Sequence, residues 1–450
     1  MRTTALSSTP DAGGRVWPAC AALLFAAGLA AGWDSLGYPW NGDDLHLIRA
    51  YTATELLGTL TGPWDPDGIE TTGLRPLTTL FNDARAVAFG EAVALHRVFL
   101  VALFAALLTV LGASAVRLGE SPWWVALAGV VALAAKNSSY HFLWLTDGVH
   151  LLQGLFFACG LYSLLRYVEQ GARHQYAWAI ALAALALLTR EDSLVMLPIL
   201  LVCGAYLASV TGRARARLGL VAAGLGGVAL VLLAWRAAVI PGGVDAAGYI
   251  TGLRGMAAMA YWTVCLSGAR APSRWLFLAV GALAVAAAAT LDGRDRRRAG
   301  MWLLATLLAA SPGYVMAKAD LLVFSIPLYA LFLASVAGAL VRRRPSWRTP
   351  LVLLALVLIA ISARASRQDQ LAMHPLSASQ IVRDWDVLYG SYRTATIPEG
   401  RREALRLKLE GLGVADAGID IDAWAEALDR RNPGSNRGGV FVPERPFLAP

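Results

Sequence analysis

The sequence predicts an all-α integral membrane protein with about eleven transmembrane helices and a long first external loop carrying amphipathic helices. Of the 450 residues, 57% are hydrophobic and 16% charged. With a mean hydropathy of +0.54, too little polar surface is left to cover a soluble globule of this size. Apolar runs near the roughly 20 residues that cross a hydrocarbon layer recur from Val16 to Ala363. The arginines between these runs collect in every second connection, as the cytoplasmic loops of a polytopic protein do.

The first run, Val16 to Trp33, follows Arg2 and Arg15 and reads as a retained anchor rather than a cleaved signal, although Ala26 to Ala31 supplies small residues. The later runs are Val93 to Leu118, Pro122 to Ala135, Gly148 to Val168, Tyr176 to Thr189 and Leu194 to Val210. They continue with Leu218 to Ile240, Trp275 to Leu291, Ala299 to Ala317, Leu321 to Val341 and Pro350 to Ala363. Gly255 to Gly268 is also apolar, but making it a span would place Arg294 to Arg298 outside, so it is expected to be interfacial or re-entrant.

Arg117, Arg166 with Arg173, Arg213 to Arg217, Arg294 to Arg298, and Arg342 to Arg348 mark the cytoplasmic side. The N-terminus is then cytoplasmic, the C-terminus is extracytoplasmic, and the chain is expected in the inner (plasma) membrane among its lipids. Topology thus accounts for the net charge of +8, and no nucleic-acid partner is called for. Cys20, Cys159, Cys203 and Cys265 lie in separate apolar segments, which suggests neither a disulfide frame nor a thiolate metal site. The organisation is a polytopic domain over 1–363, with the external loop at 34–92, and a small external tail over 364–450. The tail carries helical patterns near Ala378 to Leu388, Arg401 to Leu412 and Ala423 to Arg430.

Ionisable groups are costly within a bilayer, so their depth carries information. His96 and Arg97 open the second span, Asp147 and His150 open the fourth, Arg190, Glu191 and Asp192 join the fifth to the sixth, and Arg236 closes the seventh. By the topology above all lie near the external surface, and Lys136 and Lys318 fall in external connections too. Midplanes nearly free of charge argue against a secondary transporter, whose ligands sit near the bilayer centre. The loop itself holds nine acids (Asp34, Asp43, Asp44, Glu55, Asp65, Asp67, Glu70, Asp83, Glu91) against three arginines (Arg49, Arg75, Arg85). Leu45, Ile48, Leu56 and Leu57 form one apolar helical stripe, and Leu77, Leu80, Phe81 and Val87 form another after Arg75-Pro76, each lying flat on the bilayer or against the bundle. Asp65-Pro66-Asp67 reads as a turn. Asn137-Ser138-Ser139 fits the glycosylation acceptor pattern, one that arises often by chance.

Gly42-Asp43-Asp44-Leu45-His46 resembles the acidic motif in the first external loop of protein O-mannosyltransferases, members of the GT-C class of membrane glycosyltransferases. Leu74-Arg75-Pro76-Leu77, then Leu95-His96-Arg97, is similar to the Arg-Pro-Leu and His stretches of bacterial GT-C relatives. Trp144 to Leu152 and Leu188 to Pro198 resemble their Trp-containing loop and the Lys-Glu segment that ends in Pro. The likeness runs in order from residue 34 to about 200. The chain departs from it where Arg190 replaces Lys, where Asp44 stands for Glu, and where Gly313 to Pro327 lacks an Arg-Tyr pair.

The resemblance implies a GT-C-like fold and inverting transfer of a sugar from a polyprenyl-phosphate donor to an extracytoplasmic acceptor (protein, lipid or glycan). A carboxylate then takes the acceptor's proton while cations stabilise the departing phosphate. Adjacent side chains diverge, so Asp43 and Asp44 are expected to play different roles. Asp43 is expected as base, and Asp44 holds the loop or a cation, which leaves a divalent metal open. Arg75, His96, Lys136, His150, Arg190, Glu191, Asp192, Arg236 and Lys318 are the candidate substrate-binding residues, each with a bland alternative in capping, pairing or simple interfacial placement. The competing functions are a glycolipid transporter or flippase and a catalytically silent membrane scaffold.

Overall fold

The computed structural model describes residues 10–36, 44, 47–64, 73–90, 92–212, 215–240, 250–268, 271–315, 317 and 321–385. Among them the regular elements are all helices, the arrangement that lets a chain in an apolar medium satisfy its own backbone. Helix α1 (Pro10–Gly32) leads into the first loop, which holds α2 (Ala53–Gly58) and α3 (Pro76–Phe89). Then come α4 (Val93–Arg117), α5 (Pro122–Ala134), α6 (Gly148–Gln170), α7 (Arg173–Thr189), α8 (Met196–Thr211) and α9 (Arg215–Val239). The chain continues as α10 (Gly252–Val264), α11 (Arg274–Ala289), α12 (Gly293–Ala309), α13 (Leu322–Arg343) and α14 (Arg348–Trp385).

Helices occupy all of the apolar segments read from the sequence. Seven described helices are long and apolar enough to cross a membrane. By that measure α5, α7, α11 and α12 fall short, at 13, 17, 16 and 17 residues. The protein is a multi-pass membrane protein, and α10, at 13 residues, is too short to cross. It packs instead against the turn Ser311–Tyr314 and α13. The contact is close because two glycines meet there: a Cβ on Gly255 would overlap the Gly313 carbonyl oxygen.

The central helix is α13, whose apolar window is 89% buried, followed by α6 at 72% and α4 at 61%, whereas α9 is 11% buried and lies at the periphery. Phe104, Leu161, Trp302 and Phe332 are fully enclosed between these helices. Charged side chains segregate to the two ends. Ion pairs join Arg117 to Glu169 at 2.6 Å, Arg298 to Glu120 at 3.0 Å and Arg342 to Asp295 at 2.9 Å, so the arginine-rich connections meet at one end. Arg97, near the start of 25-residue α4, lies about 30 Å from Arg117 at its finish.

The loop departs from one expectation. The first apolar stripe is broken up: Leu47 and Ile48 are buried outside any long helix, and α2 is a six-residue helix capped reciprocally by Thr52 and Glu55, with Leu57 65% exposed. In α3 the apolar stripe takes the outward of the two placements expected, away from the bundle. Pro76, Thr78, Thr79, Asn82 and Arg85 are buried, whereas Leu80 is 48% and Val87 72% exposed. A helix between a polar protein cleft and lipid turns its polar stripe inward, the reverse of a helix on a soluble core. Helix α14 runs unbroken across position 363/364 to Trp385. Arg367 pairs with Asp34 at 2.8 Å and Gln370 donates to the Ala31 carbonyl at 2.7 Å, tying this helix to the end of α1. The helical patterns read at 401–412 and 423–430, and the turn at 65–67, lie outside the described residues.

Candidate functional site

Opposite the arginine-rich end, three carboxylates organise the polar groups. Glu191 begins the short helical segment Glu191–Val195 between α7 and α8, reached through extended backbone at Arg190 that ends α7. Its carboxylate accepts from Arg75 Nε at 2.8 Å and from the Leu74 amide at 2.7 Å, and Arg236 Nε lies 3.5 Å away. The start of α3 is thereby pinned to the α7–α8 junction, and Thr78 Oγ1 reinforces it by donating to the Thr189 carbonyl at 2.7 Å. Beside this knot lies a shallow apolar groove lined by Leu74, Leu187, Leu188, Leu194, Leu232 and Leu233, with Glu191 and Arg236 also on its wall.

Asp192 sits one residue on and faces the bundle interior. It accepts from Gln153 Nε2 at 2.6 Å and pairs with Arg190 Nε at 3.4 Å, and His150 lies within electrostatic reach of it. Gln153 also donates to Ser193 Oγ at 2.6 Å, and that hydroxyl donates to the Ala186 carbonyl at 2.7 Å. His150 and Gln153 are three apart on α6 and so share a face.

Asp44 is fully buried and accepts from the amides of Leu145 at 3.2 Å and Thr146 at 2.8 Å. Burial raises its carboxyl pKa, a shift opposed by those two amides and by the positive charges of Arg97 and Arg85. Arg97 Nη1 donates to the Ser35 and Phe142 carbonyls at 2.8 and 3.2 Å. Arg85 Nη1 donates to the Leu145 carbonyl at 2.8 Å, over the Phe81 ring. Asp147 lies 3.8 Å from His141 Nδ1.

Arg75, Glu191, Asp192, Arg190, Arg236 and His150 are thus brought together, whereas Asp44 neighbours Arg85, ten residues further along α3 than Arg75. Two candidates lie elsewhere. His96 is buried, shares a hydrogen bond of 3.0 Å with the Gly90 carbonyl and meets Phe89 edge-on, contacts that close the turn between α3 and α4. Lys136 is held through its amide to the Leu266 carbonyl at 2.7 Å, with its side chain over Gly268. Its segment packs on α13 and α14, away from α7 and α9. Asn137 Nδ2 donates to the Trp262 carbonyl at 3.2 Å, which engages the amide a glycan would need. Asp43 and Lys318 lie outside the described residues. Among the described residues no group of three His, Cys, Asp or Glu side chains has metal-binding spacing.

Sequence reading missed Asn82, Arg85 and Gln153. Thr78, Asn82 and Arg85 recur at helical spacing on the buried face of α3. That polar stripe was a signal as clear as the apolar one.

No family model matches the chain, and no curated protein matches it. Among solved structures it is similar to the crystal structure of ArnT from Cupriavidus metallidurans bound to undecaprenyl phosphate. The identity is 17% and the TM-score 0.45, and the match covers 91% of this chain and 75% of that one.

Proposed function

We propose that the protein is a GT-C-type glycosyltransferase that moves a sugar from a polyprenyl-phosphate carrier to an extracytoplasmic acceptor. The observation that carries this reading is convergence. The Asp44, Arg75, His150 and Glu191–Asp192 segments, read in order as motifs resembling that class, meet at the end of the bundle opposite the arginine-rich one. The apolar groove beside Glu191 and Arg236 suits a prenyl chain entering from the bilayer, with its phosphate near the guanidinium groups at the groove's polar end. Asp43 takes the acceptor hydroxyl's proton as the oxygen attacks the anomeric carbon, the bond to the phosphate oxygen breaks, and neighbouring cations stabilise the phosphate that leaves. Asp44, by clamping the Leu145 and Thr146 amides, fixes the loop on which Asp43 stands.

The test is purified Asp43→Asn protein assayed with a polyprenyl-phosphate sugar. Sugar transfer is lost while the unfolding temperature stays at that of the parent; retained transfer removes Asp43 as base. Movement of a lipid-linked sugar across reconstituted vesicles with no glycosyl product would instead select the flippase reading.

A further inference from the structure

The guanidinium groups at this end differ in what they hold. Arg75 and Arg236 face Glu191, and Arg190 faces Asp192. Arg85 is 2% exposed and makes one hydrogen bond, from Nη1 to the Leu145 carbonyl. Its Nε and Nη2 have no partner. These two N–H groups form one edge of the planar guanidinium, the fork that takes a pair of oxygens from a carboxylate or phosphoryl group. Buried donors without acceptors are costly, so this edge calls for an acceptor: a water, an ion or a ligand group.

A second observation concerns where the fork lies. Arg85 packs on the first turn of α6, so closely that a Cβ on Gly148 would come within 2.7 Å of Nη1. No side chain caps that 23-residue helix, and the N-terminal end of a helix dipole favours negative charge. Neither nearby carboxylate fills the fork. Arg85 and Arg97 both act on Asp44, whose carboxylate is already engaged by two backbone amides, and Asp147 lies against His141.

We propose that the Nε–Nη2 edge of Arg85, at the N-terminus of α6, receives an oxyanion of the substrate: a lipid-linked phosphate or a sugar carboxylate. This rests on the glycosyltransferase reading for the substrate's class, and on the geometry of Arg85 for the contact. Arg85 is then a binding residue distinct from the arginines that Glu191 and Asp192 engage.

The experiment uses full-length protein in detergent, titrated separately with undecaprenyl phosphate, undecaprenol, glucuronate and glucose. Arg85→Lys keeps the charge and removes the fork. Gly148→Ala keeps the arginine and displaces it, so the test stands if either variant fails to fold. The parent is expected to favour the anionic member of one pair, and each folded variant to lose that preference by about ten- to a hundredfold, the loss of a bidentate charge-assisted contact. Loss confined to undecaprenyl phosphate over undecaprenol assigns the oxyanion to the carrier; loss confined to glucuronate over glucose assigns it to the sugar. Unchanged preference in both variants overturns the assignment to Arg85, even where the parent binds undecaprenyl phosphate. A parent blind to undecaprenyl phosphate while Arg85 still governs glucuronate would sink the carrier reading and leave the Arg85 site standing.

Discussion

Glu191 receives Arg75 Nε at 2.8 Å across 116 positions of sequence, and the same carboxylate binds the Leu74 amide at 2.7 Å. One side chain therefore fixes both the entry to α3 and the wall of the apolar groove. Glu191→Ala is expected to destabilise the protein by about 2–4 kcal/mol, because Arg75, Arg236 and a backbone amide lose a charged acceptor in a mostly buried setting. Glu191→Gln retains an acceptor and costs about half as much. Thermal unfolding in detergent measures the difference, and equal midpoints for parent and Glu191→Ala would refute it.

The Asp44 carboxyl is raised above its ordinary value of 3.8 by burial. The folded state thus binds this proton more tightly than the unfolded chain does. Asp44's contribution is fully present below the ordinary value and is lost as pH rises through the raised one. Unfolding midpoints followed upward from about pH 4 should fall over that window in the parent. In Asp44→Asn this component of the slope disappears, with a constant penalty of about 1–2 kcal/mol for the amide that loses its acceptor. An identical slope in both proteins would assign the pH dependence to other groups.

At the arginine-rich end, Arg298 lies 3.0 Å from Glu120, and both side chains are nearly fully buried. Arg298→Met leaves the Glu120 carboxylate, which also accepts from the Trp302 indole at 3.1 Å, without its ion-pair partner, and should cost about 3–5 kcal/mol. Adding Glu120→Gln should restore more than half of that loss, since the penalty belongs to the stranded charge. Additive losses in the double variant would contradict this account.

Gly255→Ala places a methyl group on the Gly313 carbonyl. Backbone yields less readily than a side-chain tip, so the expected loss is about 1–3 kcal/mol, with α10 displaced from the turn it covers. Accessibility labelling of a cysteine at Met259, buried in the parent, should rise in this background, and unchanged labelling would refute the displacement.

Hydropathy made the helical segments legible because lipid imposes a length that a sequence cannot hide. It gave the order of the helices and the separation of charge between ends. It could not say which side of α3 faces inward, because Leu80 and Val87 and, opposite them, Asn82 and Arg85 make an amphipathic pattern that is symmetric until the medium on each side is known. His96 has the position and motif context of a site residue, yet its Nε2 hydrogen-bonds the Gly90 carbonyl only six residues back. The Arg75–Glu191 pair required tertiary structure, because nothing local in either segment names a partner more than a hundred residues away.

The outward set of α3's Leu80 and Val87 has a practical consequence for anyone who purifies this protein. A lid held greasy side out depends on its surrounding annulus, and small, fast-exchanging surfactants will peel it from the cleft before the trunk of helices loosens. Preparations in short-chain detergent should therefore keep their circular dichroism while labelling of a cysteine at Asn82, buried in the parent, rises, and return to phospholipid nanodiscs should reverse that labelling.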